Sequence, residues 1–406
     1  MSLNNTPAAE RIHIGLFGRR NAGKSSLMNA VTGQDISIIT DTPGTTTDPV
    51  SKAMELLPLG PVVMIDTPGM DDVGDLGTLR VQKSYQALNK TDLALLVIDA
   101  SSGMTEEDLL ILESIRQKKI PYLLVLNKAD LEVCPKLQMQ LEEKHLTKDD
   151  VIEVSALTGK NIEELKNRLA HLVPQEEKKR KIVGDLVEAG DFVLLVVPID
   201  ASAPKGRLIL PQQQTIRDLL DSNATAVVVK DTELKETLEK LGVRPKLVIT
   251  DSQVFAKVSA LVPNDIPLTS FSILFARYKG NLDVTAGGVK KLDHLEEDDK
   301  ILISEGCTHH RQCEDIGTVK IPRMVSSYCG KKLQFEFTSG GEFPADLSSY
   351  AMIIHCGGCT LNEREMKYRL RCAEEQNIPI TNYGMAIAYM HGILKRSMEL
   401  FEEDRK

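Results

Sequence analysis

Short apolar runs alternate with helical patterns from about residue 11 to residue 172. This alternation is typical of a doubly wound, mostly parallel sheet whose strands are connected by helices. The runs that predict strands are residues 12–17, 62–65, 93–98, 122–126 and 151–154. We therefore expect an α/β domain over residues 1–174, followed by a charged linker near residues 175–181.

Two further blocks of alternating patterns follow the linker. The second block has strand patterns at 192–197, 224–229, 246–249 and 269–274, with helical patterns at 212–220 and 232–241. It carries no phosphate loop, so we expect a small α/β middle domain over 182–268 that serves as a spacer or dimerisation surface. The third block has strand patterns at 300–304, 332–337 and 350–354. It predicts a C-terminal α/β domain over 269–406.

Composition excludes several classes of protein. The chain has 406 residues, 42% of them hydrophobic and 26% charged, which is typical of globular proteins of two or three domains. A net charge of -9 without a basic stripe argues against nucleic acid as a partner. No apolar stretch approaches the roughly 20 residues of a membrane span, and the first residues lack a signal-peptide pattern. We expect a cytoplasmic protein with no membrane contact.

The segment Gly18–Ser25 fits the phosphate-loop motif G-x-x-x-x-G-K-S. It lies between a strand pattern and a helical pattern, which is the context that the motif requires. Backbone N–H groups of such a turn hold the phosphates, Lys24 contacts the β and γ oxygens, and the Ser25 hydroxyl ligates Mg²⁺. The residues expected to bind phosphate or metal here are Asn21, Ala22, Gly23, Lys24, Ser25 and Ser26.

Three more short motifs follow predicted strands of the same sheet. In Asp66-Thr67-Pro68-Gly69, we expect Asp66 to support the Mg²⁺ sphere and the Gly69 amide to sense the γ-phosphate. In Asn127-Lys128-Ala129-Asp130, the Asp130 carboxylate can accept hydrogen bonds from N1–H and the exocyclic amine of guanine, which adenine cannot supply. The backbone N–H groups of Ser155, Ala156 and Leu157 are expected near guanine O6. The motifs predict a domain that binds GTP and GDP and hydrolyses GTP.

This set of motifs resembles the translation-factor-related GTPases. Residues 44–48 are similar to the switch I motif of their tRNA-modification and ribosome-assembly branch. The resemblance implies that Thr46 completes the Mg²⁺ coordination and that Asn21 accompanies a potassium ion near the phosphates. Met70 stands where Ras-like proteins carry the glutamine that orients the attacking water, so we expect slow intrinsic hydrolysis.

Cysteine grouping marks a second candidate site. Seven cysteines are an odd number, and six of them follow residue 300. Cys307, with His309 close behind, and His355-Cys356-Gly357-Gly358-Cys359 each follow a predicted strand, so parallel strands would bring the three thiols to one sheet edge. A helix start is expected beside them, in the capping-box form Thr360-Leu361-Asn362-Glu363.

The ligand types alone are compatible with two kinds of metal centre. Structural zinc would take the three cysteines and either histidine, whereas an iron-sulfur cluster would take the three cysteines and leave one iron exchangeable. A third possibility is that the cysteines bind nothing.

The whole chain resembles the GTPases that mature FeFe-hydrogenase, through its GTPase motifs, its middle α/β domain and its C-terminal cysteine pattern. The resemblance implies a 4Fe-4S cluster on Cys307, Cys356 and Cys359. It also implies a homodimer that carries the di-iron precursor of the hydrogenase active site (the H-cluster) to apo-hydrogenase. The chain lacks a C-x-x-x-C-x-x-C motif, so radical chemistry belongs to partner enzymes of the maturation.

The fourth cluster ligand and the function both have alternatives. We favour Glu305 over His309 and His355 as the fourth ligand, because a carboxylate is a weak partner for cluster iron and can yield to an incoming group. The alternative functions are a ribosome- or tRNA-associated GTPase with a structural zinc domain, and a metal-free GTPase whose C-terminal domain only binds protein.

Overall fold

The computed structural model describes six stretches of the chain: residues 6–33, 49–69, 75–173, 181–199, 208–306 and 315–401, with the backbone alone for 75–80. It divides into two compact units, residues 1–177 and 178–406. Each unit is built from mostly parallel sheets with helical connections, as the sequence predicts.

The N-terminal unit contains a six-stranded sheet. Its strands are β1 (Ile12–Phe17), β2 (Val50–Leu56), β3 (Gly60–Asp66), β4 (Leu93–Asp99), β5 (Tyr122–Asn127) and β6 (Val151–Glu153). The spatial order is β2-β3-β1-β4-β5-β6. All neighbours run parallel except β2, which pairs antiparallel with β3 at one edge.

Helices cover both faces of this sheet. They are α1 (Lys24–Thr32), α2 (Asp75–Asn89), α3 (Glu106–Gln117), α4 (Leu137–Glu143) and α5 (Ile162–Leu172). The central strands are apolar throughout because each face has its own core: Leu95 and Val97 of β4 pack into one cluster, and Leu96 and Ile98 into the other.

The second unit begins with a four-stranded parallel sheet in the order β10-β9-β7-β8. Its strands are β7 (Phe192–Val196), β8 (Thr225–Val229), β9 (Leu247–Thr250) and β10 (Leu268–Ser270). Its helices are α6 (Leu210–Asp221), α7 (Leu234–Lys240), α8 (Phe255–Leu261) and α9 (Phe271–Lys279). The strand predicted over 269–274 is wrong beyond Ser270, whose side chain accepts a hydrogen bond from the N–H of Ile273 and begins α9.

The remaining residues form a third sheet, again parallel, in the order β12-β11-β13-β14. Its strands are β11 (Lys300–Ser304), β12 (Gln334–Thr338), β13 (Met352–His355) and β14 (Ile380–Asn382). The helices around it are α10 (Leu282–Gly288), α11 (Ile321–Cys329), α12 (Glu363–Glu375), α13 (Tyr383–Met390) and α14 (Leu394–Met398). In register, Ser304 of β11 lies beside His355 of β13, so both strands end at one edge.

Buried residues from both sheet regions of the second unit pack into a common core cluster. One core cluster contains Leu195 from β7 together with Met385 from α13 and Phe401 near the end of the described chain. Arg396 of α14 also donates hydrogen bonds to the carbonyl oxygens of residues 259, 262 and 263. The division into domains at 182–268 and 269–406 stays a prediction. Among the helices that the structure describes, none combines the length and apolar character needed to cross a lipid bilayer.

Candidate functional site

The phosphate loop connects β1 to α1. Gly23 has a φ of +89°, and a Cβ built there would lie 2.2 Å from Nδ2 of Asn127, so the loop needs glycine for both reasons. Lys24 is buried, and its Nζ donates hydrogen bonds to the carbonyl oxygens of Gly18 (2.9 Å) and Arg19 (2.8 Å). The ammonium group therefore lies directly against the loop that is expected to hold the phosphates.

The part of the site that is expected to hold Mg²⁺ lies between the start of α1 and the end of β3. The Ser25 hydroxyl donates a hydrogen bond to Oδ2 of Asp66 over 2.5 Å. Gly69 approaches the loop so closely that a Cβ there would lie 2.8 Å from the backbone nitrogen of Arg20. Thr46, with the rest of the 44–48 segment, and Met70 lie outside the described residues.

Asn127 connects the phosphate loop to the segment that is expected to contact the guanine base. Its Nδ2 donates to the carbonyl oxygen of Ala22 over 3.0 Å, and its Oδ1 accepts from the N–H of Ala156 over 3.0 Å. Asp130 is exposed two residues after Lys128, so its carboxylate is accessible to a base. One buried side chain thus holds two nucleotide-binding segments together.

The structure reduces the number of backbone N–H groups that are available to guanine O6. The N–H of Ala156 donates to Asn127, and the N–H of Ser155 donates to the carbonyl oxygen of Lys160 over 3.2 Å. Both groups are therefore used within the protein. The N–H of Leu157 remains the expected donor to O6, and the side chain of Leu157 is 87% exposed.

Asp99 is a site residue that the motif analysis missed. It ends β4, and its Oδ2 accepts from Nζ of Lys128 over 2.7 Å. Burial opposes ionisation of Asp99, but hydrogen bonds from Lys128 and Ser101 outweigh it and lower the pKa of the carboxyl group. The sequence did offer a signal for Asp99. It is a polar residue at the end of a central strand, as Asp66 and Asn127 are at the ends of β3 and β5.

The candidate metal site lies where β11 and β13 end. The Sγ of Cys356 accepts hydrogen bonds from the N–H of Gly306 (3.0 Å) and of Gly358 (3.4 Å). Gly306 precedes Cys307 in the chain. Cys307, His309 and Cys313 themselves lie outside the described residues.

Burial makes Cys356 and Cys359 poor nucleophiles as free thiols. It raises the pKa of the Cys356 thiol to about 11, an effect that the N–H groups of Gly306 and Gly358 partly oppose. Burial also raises the pKa of Cys359, and the nearby Lys279 opposes that rise. Such thiols are mostly protonated near neutral pH, and a bound metal cation would displace their protons.

His355 is committed to structural hydrogen bonds. Its Nδ1–H donates to the carbonyl oxygen of Cys356 over 2.7 Å, and its Nε2 accepts from Nη1 of Arg369 over 3.0 Å. Burial, followed by the charge of Arg369, lowers the pKa of the imidazole to about 3. With both ring nitrogens in these hydrogen bonds, His355 offers no free lone pair in this arrangement, which favours the other candidates for the fourth ligand.

Glu305 is buried at the end of β11, with 4% of its surface exposed. Its Oε1 accepts a hydrogen bond from the hydroxyl of Tyr383 over 3.2 Å. Burial, with the nearby Cys356 and Glu305, raises the pKa of that tyrosine, so its hydroxyl stays a donor. Within the described ranges, which leave out residues 307–314, no three His, Cys, Asp or Glu side chains are arranged to hold a metal ion.

The helix predicted beside the cysteines is confirmed, but its cap differs from the prediction. α12 has Asn362 as its N-cap, with the side chain accepting from the N–H of Glu365 over 3.0 Å. The Thr360 hydroxyl instead donates to the carbonyl oxygen of Gly306 over 2.8 Å. Thr360 is therefore a second contact between the loops after β11 and β13.

Two buried cations adjoin these loops, and no sequence motif marked them. Arg369 is fully buried and donates to Ser304, to His355 and, through Nε, to Oε1 of Glu365 over 3.0 Å. Lys279 is 3% exposed and bonds the loop that carries Cys359.

Three family models match parts of the chain. Residues 13–128 match a 50S ribosome-binding GTPase model, so the N-terminal unit is a GTPase domain, as its motifs predict. Residues 182–280 match the hydrogen maturase F dimerization domain, and residues 283–400 match the hydrogen maturase F tetramerization domain. The last two matches together span more than half of the chain.

Individual relatives match part of the chain. The chain is 38% identical over 188 residues to the tRNA modification GTPase MnmE of Aquifex aeolicus, covering 46% of this chain and 38% of that protein. It is 40% identical over 166 residues to MnmE of Thermoanaerobacter sp., covering 40% of this chain and 35% of that protein. The chain thus spans little more than a third of these relatives. A crystal structure of an Era variant from Aquifex aeolicus bound to GDP.AlF4- is 22% identical, with a TM-score of 0.37, and covers 54% of this chain and 92% of that chain.

Proposed function

The chain belongs to the hydrogen maturase F family, and from that premise we propose that it is a GTP-hydrolysing scaffold for assembly of the FeFe-hydrogenase active site. It binds a 4Fe-4S cluster on Cys307, Cys356 and Cys359, receives the di-iron precursor and transfers it to apo-hydrogenase. Its partners are the radical enzymes of that maturation and the apo-hydrogenase. The family's dimerization domain, at residues 182–280, supports a homodimer.

One contact carries the cluster assignment. The N–H of Gly306 donates to Sγ of Cys356 over 3.0 Å, although the two residues are 50 positions apart. Gly306 directly precedes Cys307 in the sequence. This supports a common site for Cys307 and Cys356, with Cys359 three positions further along the same loop.

The donor chemistry fits an iron-sulfur cluster. Such clusters are held by cysteine thiolates, and hydrogen bonds from backbone N–H groups to sulfur tune them. Cys356 accepts two such bonds. When bound, the cluster would supply an iron coordination position that a cargo ligand can occupy. Glu305 is the fourth ligand in this proposal, held in place by the hydroxyl of Tyr383.

The nucleotide site supports Mg²⁺-dependent GTP hydrolysis. Ser25 and Thr46 would ligate Mg²⁺, which neutralises phosphate charge, and Asp66 would hold the Ser25 hydroxyl in position. Lys24 would contact the β and γ oxygens from its place against the loop. Asn21 would accompany a potassium ion, and equal hydrolysis rates in sodium and potassium would remove that part of the proposal.

Transfer of the precursor tests the function directly. The chain is loaded anaerobically by the radical enzymes of maturation, repurified and mixed with apo-hydrogenase, and hydrogen evolution is measured. We expect activity with the wild type and its loss with Cys356→Ser, while GTP hydrolysis by the variant is unchanged. Hydrogen evolution that needs no loaded chain would contradict the scaffold role. A zinc-containing, iron-free protein would favour the ribosome- or tRNA-associated alternative.

A further inference from the structure

We propose that Arg369 is a positioning residue for the metal centre, because its guanidinium holds together the strand ends from which the two cysteine loops start. This inference rests on the proposed cluster. Arg369 lies within α12, the helix that follows Cys359 in the chain, and it is fully buried. It acts on the centre through other residues and not as a ligand, since a guanidinium has no lone pair to offer a metal.

The guanidinium reaches the ends of three neighbouring strands. Its Nη1 donates to the hydroxyl of Ser304 at the end of β11 over 3.2 Å and to Nε2 of His355 at the end of β13 over 3.0 Å. Its Nη2 donates over 2.6 Å to the carbonyl oxygen of Gly340, beyond the end of β12. Ser304 directly precedes Glu305, and His355 directly precedes Cys356. One side chain therefore holds the positions from which two candidate ligands extend.

Arg369 also fixes the imidazole that links it to Cys356. A guanidinium only donates hydrogen bonds, so Nε2 of His355 accepts and Nδ1 carries the proton. The Nδ1–H group donates to the carbonyl oxygen of Cys356 over 2.7 Å. A continuous chain of hydrogen bonds thus runs from the guanidinium through the imidazole to the backbone of a proposed cluster ligand, and such a network restrains each of its members.

The charge of Arg369 is compensated inside the protein. Its Nε donates to Oε1 of Glu365 over 3.0 Å, and Nη2 lies 3.0 Å from the same oxygen. Glu365 is itself buried, one turn earlier on α12, and the guanidinium carbon lies 5.2 Å from the ring centre of Phe343. Separating a buried ion pair leaves a charge uncompensated, which costs free energy, so the guanidinium is held in one orientation.

The planar fork of the guanidinium matters here as well as its charge. It bonds an imidazole nitrogen, a hydroxyl, a carbonyl oxygen and a carboxylate in directions that its plane fixes. The ammonium group of a lysine carries the same charge, but as a compact point on a flexible stem. Arg369→Lys therefore keeps the charge and removes the geometry.

The test measures how firmly the anaerobically reconstituted full chain holds iron. Arg369→Lys and Arg369→Met are compared with the wild type by competition with an iron chelator and by EPR of the reduced cluster. Arg396→Met is the matched control, because Arg396 also joins distant segments, by donating to the carbonyl oxygens of residues 259, 262 and 263. Urea unfolding of each variant without its cluster gives the stability.

We expect the apparent iron affinity of Arg369→Lys to fall about 10-fold to 100-fold, the range typical when a group that orients a metal ligand is changed. The EPR signal of clusters that remain bound should also change, because the orientation of Cys356 is no longer fixed. Arg369→Met should lose at least as much affinity. Arg396→Met should lower stability but keep the wild-type iron affinity and EPR signal, a separation that a role limited to folding would not give.

His355→Gln tests the path through the imidazole. Added to Arg369→Lys, it should cost little further iron affinity, since the chain of hydrogen bonds is already broken, and a fully additive loss would contradict this path. Wild-type affinity and EPR signal in Arg369→Lys would overturn the inference, as would equal losses in Arg396→Met. Arg369→Lys decides alone if Arg369→Met does not fold. Absence of a cluster from the wild type would instead refute the proposed function.

Discussion

The backbone N–H of Gly306 lies 3.0 Å from Sγ of Cys356 and donates a hydrogen bond to it. The contact follows from strand register. Ser304 and His355 are neighbours on β11 and β13, so the segments that follow the two strands leave the sheet at the same edge. Two loops that are far apart in sequence therefore meet at a sulfur atom. The proposed metal centre depends on this contact between the two loops.

Gly306→Ala should separate these loops. A Cβ at this position would lie 2.7 Å from Cγ of Leu361, which is 8% exposed and has little room to move. We expect lower iron content after reconstitution, measured against protein concentration. Gly341→Ala is the control, because its Cβ would meet no atom within 4 Å and its iron content should equal that of the wild type. Full iron content in Gly306→Ala would contradict the close approach.

Asp66→Asn should weaken Mg²⁺ binding. The Asp66 carboxylate accepts the hydrogen bond that orients the Ser25 hydroxyl, and loss of such an outer partner typically costs about 10-fold to 100-fold in metal affinity. The measurement is GTP hydrolysis as a function of Mg²⁺ concentration. Asp150→Asn, at a carboxylate that accepts from Thr147, serves as the control and should leave the Mg²⁺ dependence unchanged.

Asp130→Asn should change the preferred base. Xanthine carries a carbonyl group where guanine carries the exocyclic amine, so an amide side chain can donate where the carboxylate accepted. We expect affinity for GTP to fall by up to about 10⁴-fold and affinity for xanthosine triphosphate to rise. Competition binding with both nucleotides measures this, with Glu132→Gln on the same exposed loop as the control. An unchanged preference for GTP would exclude Asp130 from base recognition.

The buried Asp108 should give stability a measurable dependence on pH. Burial raises the pKa of its carboxyl group, and hydrogen bonds from the N–H and hydroxyl of Thr105 at the start of α3 oppose the rise only in part. Above the unfolded value of 3.8, the folded state therefore holds the proton more tightly, and the free energy of unfolding falls as pH rises through the folded pKa.

Asp108→Asn removes this titration. Relative to the wild type, the variant should gain stability as pH rises from about 4 to about 7, because the unfolded wild-type chain ionises Asp108 more readily than the folded chain does. Urea unfolding curves of both proteins at the two pH values give the comparison. A stability difference that does not change with pH, or that changes in the opposite direction, would be inconsistent with the raised pKa.

The sequence predicted those strands whose side chains are apolar on both faces of the sheet. Continuous runs identified β1, β4 and β11 closely, and the family resemblance is confirmed by the matched models. Two strands were missed: β2 is an edge strand whose residues are mostly exposed or half-buried, and β14 is only 3 residues long. Neither produces a clear apolar run.

The candidate sites were predictable where a contiguous motif carries them. The phosphate loop and the Asn127 motif are such cases, and the structure adds the partners that they contact. Lys279 and Arg369 could not be found in this way, because they reach the cysteine loops from helices whose sequences carry no ligand pattern. Their roles arise from packing between distant segments.

The central claim is that the loops after β11 and β13 together hold an iron-sulfur cluster. Anaerobic iron and acid-labile sulfide analysis with EPR, on the wild type, Cys356→Ser and the control Cys329→Ser, tests it most directly. Cys329 ends α11, and its sulfur contacts the carbonyl oxygen of Ser326 at 3.8 Å. The account predicts one 4Fe-4S cluster per chain in the wild type and in Cys329→Ser, and its loss in Cys356→Ser. A colourless wild-type protein with stoichiometric zinc and no sulfide would contradict it.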